Sequence, residues 1–161
     1  MNNKRGDISL SFGFIFSVIL IAVIIAIAFY AINYFLNFKK CTEISLFYDE
    51  FQKKIDRAWG SEITKDIFVG GLSRGIKSVC FLNEGNRGAG EEYTALEDYF
   101  RTKGNMFLYP PENACEQQSR KAQHVDLSEL GWYCFKNEDG KVRIPIEKES
   151  FDALVKIKRP Q

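Results

Sequence analysis

The segment from Ile8 to Phe38 contains no charged residue and no histidine. A helix needs roughly 20 predominantly apolar residues to cross the core of a bilayer, and this segment is longer than that. Soluble core helices rarely carry an apolar run of such length. Its far end changes to Tyr34 and Asn37 before Lys39 and Lys40, a sequence typical of a membrane–water interface. We therefore predict one transmembrane helix over residues 8–38.

The transmembrane prediction divides the chain into a basic leader, residues 1–7, a membrane helix, residues 8–38, and a domain, residues 39–161. Of the 22 basic and 21 acidic residues, only Lys4, Arg5 and Asp7 precede the apolar segment, so the domain is balanced in charge. A nucleic-acid-binding domain would normally carry a basic excess. The sequence therefore predicts a single small domain that does not bind nucleic acid.

All four cysteines of the chain follow the apolar segment. They are Cys41, Cys80, Cys115 and Cys134. Their wide spacing and the single histidine, His124, argue against a zinc site, which normally uses close pairs of ligands, and no cofactor motif is present. An even number in a small domain indicates two disulfides, with three pairings possible; four reduced, buried cysteines are the alternative. Disulfides persist in oxidising compartments, so we predict a single-pass protein of the cell membrane with an extracytoplasmic domain.

Residues 42–59 show the spacing of a helix with one apolar face. The apolar positions are Ile44, Phe47, Tyr48, Phe51, Ile55 and Trp59. Gly60 follows, as is common at a helix C-terminus, and no proline or glycine separates this segment from the membrane helix. We therefore predict one long helix, transmembrane in its first half and amphipathic in its second; two separate helices are the alternative.

The rest of the chain alternates short apolar runs with turn residues, which predicts five or six short strands. A helix is predicted over residues 91–103, and Asp139-Gly140 is typical of a hairpin turn. Pro145 indicates an edge position for its strand, because proline cannot donate to a β-ladder. The predicted class is α+β: a long N-terminal helix packed on a small antiparallel sheet with one inserted helix, forming one core.

Lys4-Arg5-Gly6 directly before a long hydrophobic helix resembles the leader of archaeal type IV pilin-like proteins. The resemblance implies cleavage by a prepilin peptidase between Gly6 and Asp7, with the helix retained for assembly with copies of itself or with other pilin-like subunits. The sequence departs from the family at Asp7, where glutamine is common, and at Ser11, where pilins usually carry glutamate. The resemblance covers only the N-terminal part of the chain.

Two functions from different classes follow from these features. The first is a pilin-like structural or assembly protein of the archaeal cell surface. The second is an uncleaved single-pass anchor, in contact with membrane lipid, that displays a disulfide-braced binding domain. An enzyme is not expected, because a nucleophilic pair with His124 would need a free cysteine close to it. The glycines of residues 70–75 serve as turn residues, because the lysine and hydroxyl of a phosphate loop do not follow them at the right spacing.

Overall fold

The computed structural model describes residues 12–160, and of Phe12 the backbone only. The predicted cleavage point between Gly6 and Asp7, and residues 8–11 of the predicted membrane helix, lie outside these residues. The contacts within the chain define two compact units, one ending at Lys39 and one beginning at Lys40.

The first unit is helical. Helix α1 begins at Phe12 and ends at Trp59, and every side chain from Gly13 to Lys39 is exposed. The stretch from Gly13 to Phe38 is about 39 Å long at about 1.5 Å per residue, more than the roughly 30 Å of a hydrocarbon core. By length and composition, α1 is the one helix among residues 12–160 that could cross a membrane.

In the second unit, the amphipathic part of α1 packs on the sheet through the predicted apolar face. Ile44, Phe47, Tyr48, Phe51 and Ile55 are all buried. Trp59 was predicted to share this face but is 44% exposed; its indole N–H donates to the carbonyl of Ala153 at 3.0 Å. The buried face of α1 therefore ends at Ala58, one residue before the end of the helix.

Eight strands form the sheet, rather than the five or six predicted. They are β1 Thr64–Gly71, β2 Ser78–Leu82, β3 Met106–Tyr109, β4 Ser119–Arg120, β5 Val125–Asp126, β6 Trp132–Glu138, β7 Lys141–Lys148 and β8 Val155–Ile157. Seven of them lie in the order β4-β3-β2-β6-β7-β8-β5, and β1 also pairs with β7. All pairs are antiparallel except β5 with β8, which is parallel. The predicted α+β class is confirmed.

Strand β7 lies inside the sheet, so the edge position inferred from Pro145 was wrong. β7 pairs along its whole length with β1, while its start pairs with β6 and its end with β8. Pro145 lies between these last two pairings, where β6 has ended, and its carbonyl accepts the N–H of Lys158 at 3.0 Å. A proline is tolerated there because no neighbouring strand needs its missing donor.

The helix predicted over residues 91–103 is shorter in the structure and changes from an α-helix to a 3₁₀ helix. Helix α2 spans Glu91–Leu96 and continues as a 3₁₀ helix over Glu97–Arg101. It covers the face of β2 and β3 opposite α1, where Cys80, Leu96 and Phe107 form a second buried cluster. The single core that we predicted is therefore two clusters, and β2 and β3 are buried on both faces.

Candidate functional site

One disulfide joins α1 to the loop that follows β3. Cys41 of α1 bonds to Cys115, with 5.6 Å between their Cα atoms. Three hydrogen bonds reinforce this contact around Gln117: its side chain accepts from the Ser45 hydroxyl at 2.9 Å and donates to the Cys41 carbonyl at 3.5 Å, and its backbone carbonyl accepts from the Tyr48 hydroxyl at 2.8 Å. The loop is thus fixed against the helix by one covalent bond and several polar contacts.

The second disulfide links two neighbouring strands. Cys80 of β2 lies directly opposite Cys134 of β6 in the register, and their sulfurs are bonded. Cys80 is fully buried in the second cluster, beneath α2. Beside it, the Tyr109 hydroxyl donates to the Glu91 carboxylate at 2.6 Å, which raises the pKa of Tyr109 to about 12. This side of the domain is therefore held by a covalent bond and a charge-assisted hydrogen bond.

The two disulfides, Cys41–Cys115 and Cys80–Cys134, are one of the three pairings that the sequence left open. No cysteine among residues 12–160 is free, and no group of His, Cys, Asp and Glu in that range could hold a metal ion. The candidate residues therefore form two separate braces and do not meet in one site.

The only histidine, His124, precedes β5 and packs against the C-terminal end of α1. His124 stacks on Trp59, with ring centroids 3.9 Å apart and planes 2° apart, and its Nδ1 lies 3.0 Å from the Asp56 carboxylate. Because both braces keep the cysteines oxidised, this Asp–His pair has no thiol to activate. Its contacts instead join the end of α1 to the segment leading into β5.

A concave surface, which we call the loop groove, lies between the β2–α2 loop and the start of β5. Its volume is about 730 Å³, within the range of about 300–1,000 Å³ typical of small-molecule pockets. It is lined by Leu82, Asn83, Glu84, Gly85, Asn86, Tyr93, Phe100, Thr102, Lys103, Gly104, Asn105, Lys121, Val125, Asp126, Leu127 and Leu154.

An aromatic cluster supports one wall of the loop groove. Tyr93 and Phe100 lie with their centroids 4.9 Å apart, and Trp132 packs edge-on against both. Gly88 lies so close to Tyr93 and Trp132 that a Cβ atom there would come within 2.5 Å of their rings. The loop between β2 and α2 therefore packs on aromatic rings at a position that only glycine can fill.

Some polar side chains of the loop groove, such as Thr102, Asn105 and Asp126, are hydrogen-bonded within the domain, but three others are available for contacts. Within residues 12–160, the side chains of Asn83, Asn86 and Lys103 form no hydrogen bond or ion pair. The lining contains two acidic residues, Glu84 and Asp126, and two basic residues, Lys103 and Lys121, so its charge is balanced. Sequence reasoning missed this groove, because its residues come from five separate segments; only the asparagine- and glycine-rich composition of residues 83–90 marked it.

Comparison of the chain with protein-family models, with curated proteins and with solved structures finds no match. The observations on the chain itself define its class: a long apolar N-terminal helix, of the kind that anchors a protein in a membrane, followed by a domain braced by two disulfides.

Proposed function

We propose that this chain is a single-pass membrane anchor that displays its domain on the outer side of the cell membrane, with the N-terminus inside. The observation that carries the proposal is the surface of α1 from Gly13 to Phe38, which is apolar all round and exposed all round. In water such a surface would be costly, since burial of apolar area is the main favourable term in folding. In a bilayer, lipid acyl chains surround this surface and remove it from water.

The two braces support a position of the domain outside the cytosol. Cys41–Cys115 and Cys80–Cys134 leave no free thiol among the described residues, and disulfides of this kind persist outside the reducing cytosol. A small domain gains stability from such bonds, because they reduce the entropy of its unfolded chain.

Labelling with a membrane-impermeant amine reagent tests this topology. We expect Lys65, whose side chain is 86% exposed, to be modified as fully in intact cells as after lysis, while a cytosolic protein of the host stays unlabelled. The protein should remain with the membrane in carbonate at high pH. Labelling of Lys65 only after lysis, release by carbonate, or four reactive thiols in the denatured, unreduced protein would contradict the proposal.

We propose that the displayed domain binds a ligand or partner and is not an enzyme. The loop groove supports binding, because it combines aromatic rings with unpartnered amides in a cavity of suitable size. Catalysis by His124 has less support, because a general base needs a nucleophile or a water held at hydrogen-bond distance. Its Nδ1 is instead engaged with Asp56, and its ring lies flat on Trp59.

A pilin-like assembly role at an archaeal cell surface is the second candidate. It is favoured by the continuity of α1, which runs from its apolar part into its amphipathic part as one helix, Phe12–Trp59. By the resemblance of Lys4-Arg5-Gly6 to a prepilin leader, subunits would associate through this helix.

N-terminal sequencing of protein extracted from a host with a prepilin peptidase separates the two roles. A filament subunit is expected to begin at Asp7 and to lose this processing when Gly6 is replaced by a bulky residue such as leucine. A simple anchor is expected to begin at Met1 or Asn2 in both forms. Retention of the leader in the presence of an active peptidase would overturn the assembly role and leave the anchor proposal unaffected.

A further inference from the structure

Strand β1 has one partner and one open edge. It pairs with β7 over all eight of its residues, and no strand formed by residues 12–160 pairs with its other side. Such an edge presents backbone donors and acceptors that can pair with another chain.

Two hydrogen bonds show which residues of β1 face outward. The N–H of Leu72, in continuation of the strand, donates to the Gly140 carbonyl at 2.9 Å, so even-numbered residues point their backbone groups at β7. The N–H of Ile67 instead donates to the Asp66 carboxylate at 2.7 Å. Since these directions alternate along a strand, the backbone groups of Ile67, Val69 and Gly71 face the open edge.

The open edge is only partly protected. Lys65 and Asp66 place charges at its first half, one of the devices that keep edges from pairing. The hydrogen bond from Lys54 and that from the Ile67 N–H keep the pKa of Asp66 low, so this acceptor stays ionised. Beyond it, Val69 is 51% exposed and nothing lies within 4 Å of a Cβ built on Gly71. The second half of the edge is therefore accessible to a strand.

A groove of about 360 Å³ separates this edge from α1. Its helical wall carries Lys53, Lys54 and Arg57 against the single acid Glu50. Lys54 is paired with Asp66, whereas the side chains of Lys53 and Arg57 have no carboxylate partner within residues 12–160. The wall beside the open edge is therefore basic.

The two faces of the edge strand differ in the side chains that they present. Phe68 points toward α1, where it packs on Phe47 and Phe51. Ile67 and Val69, on the opposite face, are 54% and 51% exposed. Side chains directly opposite one another on paired strands share a face and touch. An added strand would thus meet apolar groups on one face and basic groups on the other.

We propose that the open edge of β1 binds an extended segment of another protein as an additional strand, and that this segment alternates apolar with acidic side chains. The apolar residues lie beside Ile67 and Val69, and the acidic residues face Lys53 and Arg57. Backbone hydrogen bonds to the edge supply affinity and the alternating side chains supply specificity, as in other strand additions.

A second copy of the chain is a poor occupant of this edge. Two β1 strands related by a two-fold axis would pair antiparallel, and the two copies of α1 packed on them would run in opposite directions. Their Lys40 ends, which lead to the apolar segment, would then lie at opposite ends of the pair. Two chains anchored in the same membrane must instead enter it from the same side.

A fluorescent peptide tests the proposal on the full chain in detergent micelles. The probe is a capped peptide as long as β1, alternating valine and glutamate, and its binding is followed by fluorescence anisotropy. The control has the same composition with all valines before all glutamates. We expect the alternating probe to bind at least about tenfold more tightly than the control and to weaken as salt is raised.

Variants of the edge locate the binding. Val69→Pro removes the outward N–H without breaking a bond to β7, as proline is tolerated at an edge, and we expect about a tenfold loss or more of probe affinity. The matched Val69→Thr keeps the N–H and should bind within about twofold of the parent. Circular dichroism and thermal unfolding verify that both variants fold.

Charge reversal provides an independent test if Val69→Pro does not fold. Lys53→Glu with Arg57→Glu should weaken the probe by about tenfold, whereas Arg101→Glu, on the exposed 3₁₀ helix, should not. Equal binding of both peptides, no binding at millimolar probe, or full affinity in the folded Val69→Pro variant would overturn the proposal. Self-association that Val69→Pro abolishes would assign the edge to a second copy and would also overturn it.

Discussion

Replacing Phe51 with alanine is expected to lower the free energy of unfolding by about 3–5 kcal/mol. Phe51 is completely buried. It packs edge-on against Phe68 of β1, with centroids 5.2 Å apart, and its ring is tilted against that of Phe81 of β2, with centroids 5.7 Å apart. The truncation would leave a cavity at the point where α1 meets two separate parts of the sheet. Denaturant unfolding of the full chain in detergent, followed by tryptophan fluorescence, measures the change.

The chain offers a matched control for this substitution. Phe151 lies in the β7–β8 turn and is 96% exposed, so Phe151→Ala should change the free energy of unfolding by no more than about 0.5 kcal/mol. Both variants remove the same atoms, and only burial differs. A similar loss in the two variants, or a loss below about 1 kcal/mol for Phe51→Ala, would contradict the packing described for α1.

Removing the brace between α1 and the β3–β4 loop is expected to cost about 4 kcal/mol. Cys41 and Cys115 are 74 residues apart, and closing a loop of that size lowers the entropy of the unfolded chain by an amount worth about 4 kcal/mol. Cys41→Ser with Cys115→Ser should therefore lower the denaturant midpoint strongly, in the same assay. The hydrogen bonds around Gln117 remain in this variant and keep the loop near α1.

The other disulfide provides the comparison. Both cysteines of the helix brace, Cys41 and Cys115, are half-buried, whereas in the other disulfide only Cys134 is half-buried and Cys80 is fully buried. Because a reductant can approach either sulfur of the helix brace but only one sulfur of the other disulfide, the helix brace should open first under native conditions. Mild reduction of the parent protein should then reproduce the stability of the double serine variant. Earlier release of Cys80 and Cys134, seen by alkylation and peptide mass mapping, would contradict this order.

Much of the fold could be predicted from local patterns. Ile44, Phe47, Phe51 and Ile55 recur at helical spacing, and all of them are buried against the sheet. Asp139 and Gly140 adopt positive φ angles of 51° and 82°, as a two-residue hairpin turn requires. These features depend on neighbours within a few residues, so the sequence displays them directly.

Other features could not be predicted, because they depend on contacts between distant segments. Pro145 correctly indicated a position in β7 where no backbone N–H is needed. The reason is not an edge position, however: β6 pairs with the start of β7 and β8 with its end, and Pro145 lies between the two pairings. The apolar run of β2 did not show that its residues belong to two separate core clusters. They do so because α1 covers one face of β2 and α2 covers the other. The loop groove likewise exists only where several segments meet.

By itself the sequence determined the chain's two-part character: an uncharged helical stretch suited to lipid, and a charge-balanced α+β domain that contains all four cysteines. Periodicity and composition suffice for this, because each residue's affinity for water or lipid is its own property. The tertiary structure alone decided which cysteines bond, that β7 is interior, and that β1 is left with an open edge beside a basic helix. Strand pairing joins residues far apart in the chain, and no local pattern specifies which distant segment will supply the partner.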